Sequence, residues 1–438
     1  MIVAPEPKSM NRRVDIRPIW SIFRVTQSAV RIEKLPNGLT IVAEPMSALR
    51  SAAMTLLIPA GAVFDPADRL GRSAMLAEWL VRGAGQRDAS ELVAAFDSLG
   101  VTHNQSASVT HLSLSAAMLG TSVEPALELM ADMVLRPHLG AESLEPIRAL
   151  ALQSLSSLED DPASLAMTEL RKRYFGPAWG RHSGGEATSL EAMSCEDIQA
   201  AYETLIQPSG AILAIAGSLD FDRTKDLVAR LFGDWKAQPV ELPTHVSPEP
   251  QVAHHTKETN QCQITMAFPT LDINHPDYYK ARALLAILGG YASARLFTEV
   301  REKRGLCYTV YAGYEAMHKQ AAALIYAGTG SDRAQETLDV TLGELDRLRK
   351  DGIDEEELDM MRAGLLSGLV MQQESSLSRS ATLAADFYHL GRVRSIDEIR
   401  LALASISADD VSRHAKDLDL ENRTILTLGP EPLRIGSA

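Results

Sequence analysis

The sequence predicts an α+β protein made of two homologous domains, and three observations carry that prediction. A chain of 438 residues exceeds what one hydrophobic core usually organises, so two units of about 200 residues each are expected. Strand-like alternation precedes helical periodicity in both halves. The ends of the halves also rhyme: SCEDIQAAYETLIQPSGAILAIAG at 194–217 and SADDVSRHAKDLDLENRTILTLG at 407–429. In each, a Ser with an acid three residues on opens a helix, and a short apolar strand ending in Gly follows. This points to an internal duplication of roughly 215 residues, too long a period for a solenoid.

The elements follow in order. Residues 30–59 alternate apolar and polar around the turn Pro36-Asn37-Gly38 and read as two or more strands. From Leu70 the period becomes helical, with Met75, Leu76, Trp79 and Leu80 on one side. A second helix runs from an N-cap at Ser90 through Phe96 to Leu99. NQSASVTHLSLSAAM reads as strand, PALELMADMVL as helix, and LEPIRALALQSLSSLEDDP as a long helix stopped by Pro162. The stretch KAQPVELPTHVSPEPQ has four prolines in sixteen residues and reads as a linker. The expected division is an extension at 1–29, a domain at 30–235, a linker at 236–252 and a second domain at 253–438.

Composition excludes several classes. Apolar residues at 45% and charged residues at 23% are ordinary for a globular protein. With 43 Lys plus Arg against 57 Asp plus Glu, the net charge of -14 repels nucleic acid and anionic membrane surfaces. Cys195, Cys262 and Cys307 are scattered and odd in number, which suits buried thiols better than a disulfide framework or a cysteine-rich zinc site. The N-terminus lacks a secretory apolar run, and no stretch approaches the roughly 18 apolar residues of a spanning helix. A soluble cytoplasmic protein is expected, or a periplasmic one if a leader is missing.

Residues 288–310, LGGYASARLFTEVREKRGLCYTV, resemble the C-terminal-domain signature of the pitrilysin/insulinase family of zinc metallopeptidases, which includes the mitochondrial processing peptidases and their two-subunit bacterial relatives. The likeness extends through QCQITMAFP, LIYAGTGSDRAQETLDV and GIDEEELDMMRAGLLSGLV, and so covers most of the chain. It implies domains with a mostly antiparallel mixed sheet and helices on one face, closing like a clamshell with a partner subunit.

The segment GRSAMLAEWLVRGA at 71–84 is similar, without gaps, to the one that carries the inverted zinc motif H-x-x-E-H in this family. That motif places two imidazoles and a carboxylate on one helix face. Here the three positions are Ala74, Ala77 and Glu78, and the family's third ligand, a Glu, falls at Ser154 beside Gln153. A methyl group neither coordinates zinc nor accepts a proton, so no zinc is expected on this chain, and Glu78 reads as a solvated or ion-paired helix residue.

The family also uses an Arg and a Tyr, seven residues apart in the C-terminal domain, to bind substrate and stabilise the tetrahedral intermediate. Arg301 and Tyr308 stand at that spacing. The residues themselves predict a helix over 293–303 with Leu296, Phe297 and Val300 buried, Gly305 as its stop and a strand over 306–316. An Arg in a last turn is also favoured by the helix dipole, and Tyr suits a strand, so each alone has an ordinary structural reading. Inside the signature, the pair is expected to be catalytic.

Asn104 sits where the family has a peptide-contacting Asn on a strand of its zinc-bearing domain. In this emptied half it is expected to be structural. His103, His111, His254 and His255 offer no second ligand set.

The resemblance therefore implies a subunit without zinc that lends Arg301 and Tyr308 in trans to a homologous zinc-bearing partner in a heterodimer acting on peptides. The alternative is a catalytically silent assembly protein of the same fold, like the core subunits of some respiratory complexes.

Overall fold

Two sheets with matching strand order organise the chain. The computed structural model describes residues 30–435 apart from 239 and 246–248. In chain order the strands of the first half are β1 (Arg31–Lys34), β2 (Thr40–Pro45), β3 (Ser51–Ile58), a small ladder of β4 (Gly83–Ala84) and β5 (Arg87–Asp88), then β6 (Thr102–Ala107), β7 (Leu112–Leu119) and β8 (Ile212–Gly217). The second half has β9 (Gln251–Thr256), β10 (Gln261–Pro269), β11 (Cys307–Met317), β12 (Gln320–Gly330) and β13 (Thr424–Gly429).

The first main sheet has the order β1-β2-β8-β3-β7-β6, and the second β11-β12-β10-β13-β9. Read from its β6 edge, the first sheet repeats the second and adds β1. In both, one pair is parallel, β2 with β8 and β13 with β9, and the other pairs are antiparallel. β8 and β13 are buried throughout, which is why they read as nearly continuous apolar runs and not as alternation.

The helix starts show the same repetition. Ser194 accepts from the Asp197 N–H while the Asp197 carboxylate returns to Ser194 N–H, and Ser407 and Asp410 do the same. Three local expectations change. The helix expected to be capped by Ser90 spans Ala89–Ser98, and Asp88 caps it reciprocally with Glu91. An ionised carboxylate at the cap also meets the positive end of the helix dipole. The segment expected as one strand at 104–118 is the hairpin of β6 and β7. Pro162 opens a helix: Leu144–Glu159 ends first, and Pro162–Trp179 begins with Asp161 as its cap. Proline suits that first position because its missing N–H would have no partner there.

Each sheet packs the helices of its own half on one face. The first core joins Met54, Leu56, Leu114 and Leu213 to Leu76, Trp79, Leu127 and Val228. The second joins Ile264, Met266, Val310 and Ile325 to Leu288, Leu338, Leu345 and Val411. The opposite faces are covered by exchange. The helix Pro162–Trp179 lays Leu170, Phe175 and Trp179 on Leu324, Leu426 and Leu428 of the second sheet. The helix Ser376–Leu390 lays Leu383 and Ala384 on Val42, Ile212 and Ala214 of the first.

Polar contacts register the exchange. Arg379 Nε donates to Glu44 Oε2 at 2.6 Å, and both side chains are buried. Thr55 Oγ1 and Ser380 Oγ lie 2.9 Å apart. Arg171 forms a fork on the Glu315 carboxylate at 2.7–2.9 Å.

Histidines and aromatic rings from both halves meet beside the exchanged helices. His245 stacks on Trp179 at 3.9 Å between centroids, and His111 meets Tyr388 edge-on at 4.3 Å. His318 lies 6.0 Å from Tyr388, and His389 lies 4.7 Å from it. Burial pushes His111 down to about 4, with the neighbouring His389 and His318 adding to the effect. Burial likewise lowers His245, His318 and His389.

Two outcomes follow. Arg379→Ala strands the Glu44 carboxylate in a buried site and should lower unfolding free energy in urea by about 3–5 kcal/mol, whereas replacing both residues by apolar ones should cost much less. A histidine with a depressed folded value binds its proton more readily when unfolded. The stability it supplies is therefore full above its ordinary value of 6.5 and is lost as pH falls toward about 4. Urea midpoints measured from pH 7 to pH 4 should fall, and His111→Gln should remove up to about 3 kcal/mol of that pH dependence.

Candidate functional site

The helix Arg72–Trp79 holds the three positions that matter in the first half. Its start is held from a distance: Asp65 accepts from the N–H groups of Gly71 and Ser73, both at 3.0 Å. Ala77 is buried in the core, and Ala74 is half-buried. Glu78 Oε1 accepts from Gln105 Nε2 of β6 at 3.0 Å, and Arg82 stands 4.0 Å from its other oxygen. Ser154 and Gln153 are exposed on the helix Leu144–Glu159.

One carboxylate already bonded to an amide, with methyl groups at the neighbouring positions, does not fit zinc, which needs three or four N, S or O donors. Among the described residues no three His, Cys, Asp or Glu side chains group as metal ligands. Sequence reading left Gln105 unmentioned. Its signal was the alternation of β6, where Gln105 pairs with the core residue Leu114 and so faces the helix, while Asn104 pairs with Ser115 and is exposed on the other face.

The second half presents its pair on an edge. β11 is the outermost strand of its sheet. Val310 and Ala312 face the core, and strict alternation would send Tyr308 the same way. It does not go there, because the register slips between Cys307, opposite Thr329, and Thr309, opposite Gly328. Tyr308 is the extra residue of this bulge. Cys307 stays buried, its thiol pushed up to about 11 by burial, while Tyr308 is 68% exposed. Bulges commonly re-aim a side chain at the rim of a sheet in this way.

The preceding segment departs from the expected α-helix over 293–303. Phe297–Glu302 is π-helical, with Lys303 N–H donating to Thr298 O at 2.9 Å. Leu296 and Val300 are fully buried, but Phe297 is half-buried because its ring lies under the Arg301 guanidinium, 4.8 Å away. Gly305, at φ +61°, turns the chain into β11.

Four cations occur between 295 and 304. Arg295 forks onto Glu357, and Lys303 and Arg304 bind Glu299. Among the described residues Arg301 has no carboxylate within salt-bridge distance, and its exposed guanidinium stands in the turn before Tyr308.

The histidines singled out in the sequence do not assemble. His103 lies on the Phe96 ring at 4.3 Å, and His111 Nδ1 is 2.8 Å from Thr110 Oγ1. His254 Nδ1 is 2.8 Å from Thr427 Oγ1, and His255 follows it along β9.

Residues 40–177 match the family model described as insulinase, peptidase family M16, and residues 192–365 match the one described as the peptidase M16 inactive domain. The chain belongs to the M16, or insulinase, peptidase family. An uncharacterized zinc protease of Mycobacterium tuberculosis is 27% identical over 92% of this chain and 93% of its own length. The uncharacterized zinc protease YmxG of Bacillus subtilis is 26% identical over 90% of this chain and 97% of its own.

Among solved structures, an M16 inactive domain from Pseudomonas fluorescens aligns with a TM-score of 0.86 at 22% identity, covering 93% of this chain and 100% of that one. A protease from Helicobacter pylori aligns at 0.86 and 18% identity, over 92% and 100%. These two likenesses show the M16 fold. The matched M16 inactive-domain segment contains Arg301 and Tyr308.

Because Tyr308 is exposed and a Cβ at Gly305 would meet only Arg333 Nη1, at an ordinary 3.9 Å, their substitutions should separate. Tyr308→Phe should leave the unfolding free energy in urea within about 0.5 kcal/mol of wild type. Gly305→Ala, forced into the left-handed region, should cost about 1–2 kcal/mol.

Proposed function

We propose that this chain is the zinc-free subunit of a two-chain M16 peptidase, and that it lends Arg301 and Tyr308 to the active site of a homologous partner carrying H-x-x-E-H. In this reading 30–235 and 253–438 are two peptidase-like domains joined through 236–252. They form one valve of a clamshell that closes over an extended peptide.

The observation that carries it is the contrast between the halves. The first has alanines at two of the positions where metal ligands and base would stand. The second holds a guanidinium without a carboxylate partner among the described residues, and seven residues on a phenol that a bulge keeps out of the core. A scaffold has no use for that second arrangement.

The chemistry proposed for this chain is hydrogen bonding to developing charge. Both groups are donors, and a guanidinium and a phenol reaching the same carbonyl oxygen would bind it more tightly as it becomes an oxyanion. The partner's zinc would supply the activated water, and a carboxylate of its motif the general base. The proposed compartment is the cytoplasm, where Cys195, Cys262 and Cys307, all free, would remain thiols. Among the described residues no helix is long and apolar enough to cross a membrane.

A second reading is an assembly protein without chemistry. It is favoured by one likeness: a chain of Complex III2 from Candida albicans aligns with a TM-score of 0.79 at 18% identity, over 92% of this chain and 96% of that one.

Mixing this chain with a zinc-motif relative from the same cell and following a fluorogenic peptide separates the two. The peptidase reading expects no turnover from this chain alone and chelator-sensitive turnover from the mixture. It also expects a loss of about 10²–10³ in kcat for Tyr308→Phe or Arg301→Ala with assembly intact. Turnover indifferent to both substitutions would favour the scaffold.

A further inference from the structure

The π-turn that carries Arg301 has two chemically distinct faces. Glu299 is only 8% exposed although it is charged. Its Oε1 accepts from Lys303 Nζ at 2.7 Å and its Oε2 from Arg304 Nη1 at 2.8 Å. Arg304 Nη1 also donates to the Glu299 backbone carbonyl at 2.7 Å. A third cation, Arg347 of the helix Ala334–Asp351, stands 3.8 Å from the same carboxylate while bonded to Glu344 at 3.0 Å.

A π-helix has about 4.4 residues per turn, so positions four and five residues on flank the starting residue. That spacing lets one carboxylate hold both Lys303 and Arg304. Arg301 is two residues on, and side chains two apart in a helix do not face each other. It therefore projects from the other side, over Phe297, four residues before it.

We infer that Glu299 is a positioning residue for Arg301: its carboxylate ties Lys303 and Arg304 to the closed face of the π-turn and aims a single guanidinium toward Tyr308. This rests on the reading of Arg301 and Tyr308 proposed above. The tether acts on the geometry of the turn, since one carboxylate bridging positions four and five residues on favours the wider π-turn beside its own backbone bond, Lys303 N–H to Thr298 O. It also acts on charge, since two cations that would otherwise compete with Arg301 for an anionic oxygen are held on the opposite face and partly offset by the Glu299 carboxylate. The Glu299 carboxyl is held below the usual range chiefly by its bonds to Lys303 and Arg304, so it stays ionised across the neutral range.

One measurement needs no partner. Phenylglyoxal labelling of the isolated, folded chain, mapped by mass spectrometry, should modify Arg301 faster than Arg304 in wild type, and the two at similar rates in Glu299→Gln. Equal labelling in wild type, or an unchanged pattern in the variant, overturns the tether.

The second measurement uses the active mixture. Glu299→Gln should lower kcat by about tenfold or more with little change in KM, as loss of an interaction made only in the transition state does, and Glu299→Asp should recover part of it. Wild-type kcat in Glu299→Gln overturns the inference.

If Arg301→Ala is harmless, the catalytic reading fails while the labelling still judges the tether. If Arg301→Ala abolishes turnover and Glu299→Gln does not, the inference alone fails. Should Glu299→Gln not fold, the double variant Lys303→Gln, Arg304→Gln carries the same test from the cation side. A similar kcat loss supports the tether, and wild-type kcat overturns it.

Discussion

The exchange of one helix between the halves is the constraint on which the rest of the structure depends. A sheet whose central strand is apolar on both faces must cover both, because leaving one in water forfeits about 25 cal/mol for each Å² exposed. The helices that follow in sequence cover one face of each sheet. The other faces of β8 and β13 are covered by Ser376–Leu390 and Pro162–Trp179, each reaching across from the opposite half. Neither half completes its own packing, and the buried Glu44–Arg379 pair penalises any slip in how they join.

That rigidity bears on the site. Tyr308 lies on the edge strand β11 and Arg301 in the turn before it; the register of β11 is set by its pairing with β12, and Arg171 of the exchanged helix is fastened to Glu315 on the same strand. For the role proposed for the pair this matters, because an oxyanion donor loses its advantage if it must reorganise during reaction, and donors held by a sheet edge are better placed than donors on a free loop. The emptied half meets the opposite fate. With alanines at one ligand position and at the base position, Ala77 lies in the core, and Glu78, at the second ligand position, is taken up by Gln105 and Arg82 as an ordinary helix carboxylate.

Much of this was legible in the sequence, and the unread parts share a cause. The capping boxes at Ser194 and Ser407 were visible because a cap and its acid lie three residues apart. The cap at Asp88 was misassigned to Ser90 because several polar residues precede that helix and only the backbone geometry selects among them. Arg301 and Tyr308 are singled out by their spacing, but the π-turn and the bulge in which they sit are not legible there. Each is a shift of one residue in hydrogen-bond register, and composition and periodicity carry no mark of it. Gln105 was passed over because its partner Glu78 lies 27 residues away.

The sequence alone determined the twofold repeat and the absence of imidazoles at positions 74 and 78 and of a carboxylate at 77. The first follows from local periodicity, and the second from side-chain identity, which no fold can change. Only the tertiary structure decided which helix covers which sheet, that Tyr308 leaves the core while Cys307 enters it, and that Glu299 claims Lys303 and Arg304 but not Arg301. Those outcomes depend on register and on contacts between segments far apart in the chain, where the free energy of burying one surface is weighed against every other surface that could cover it.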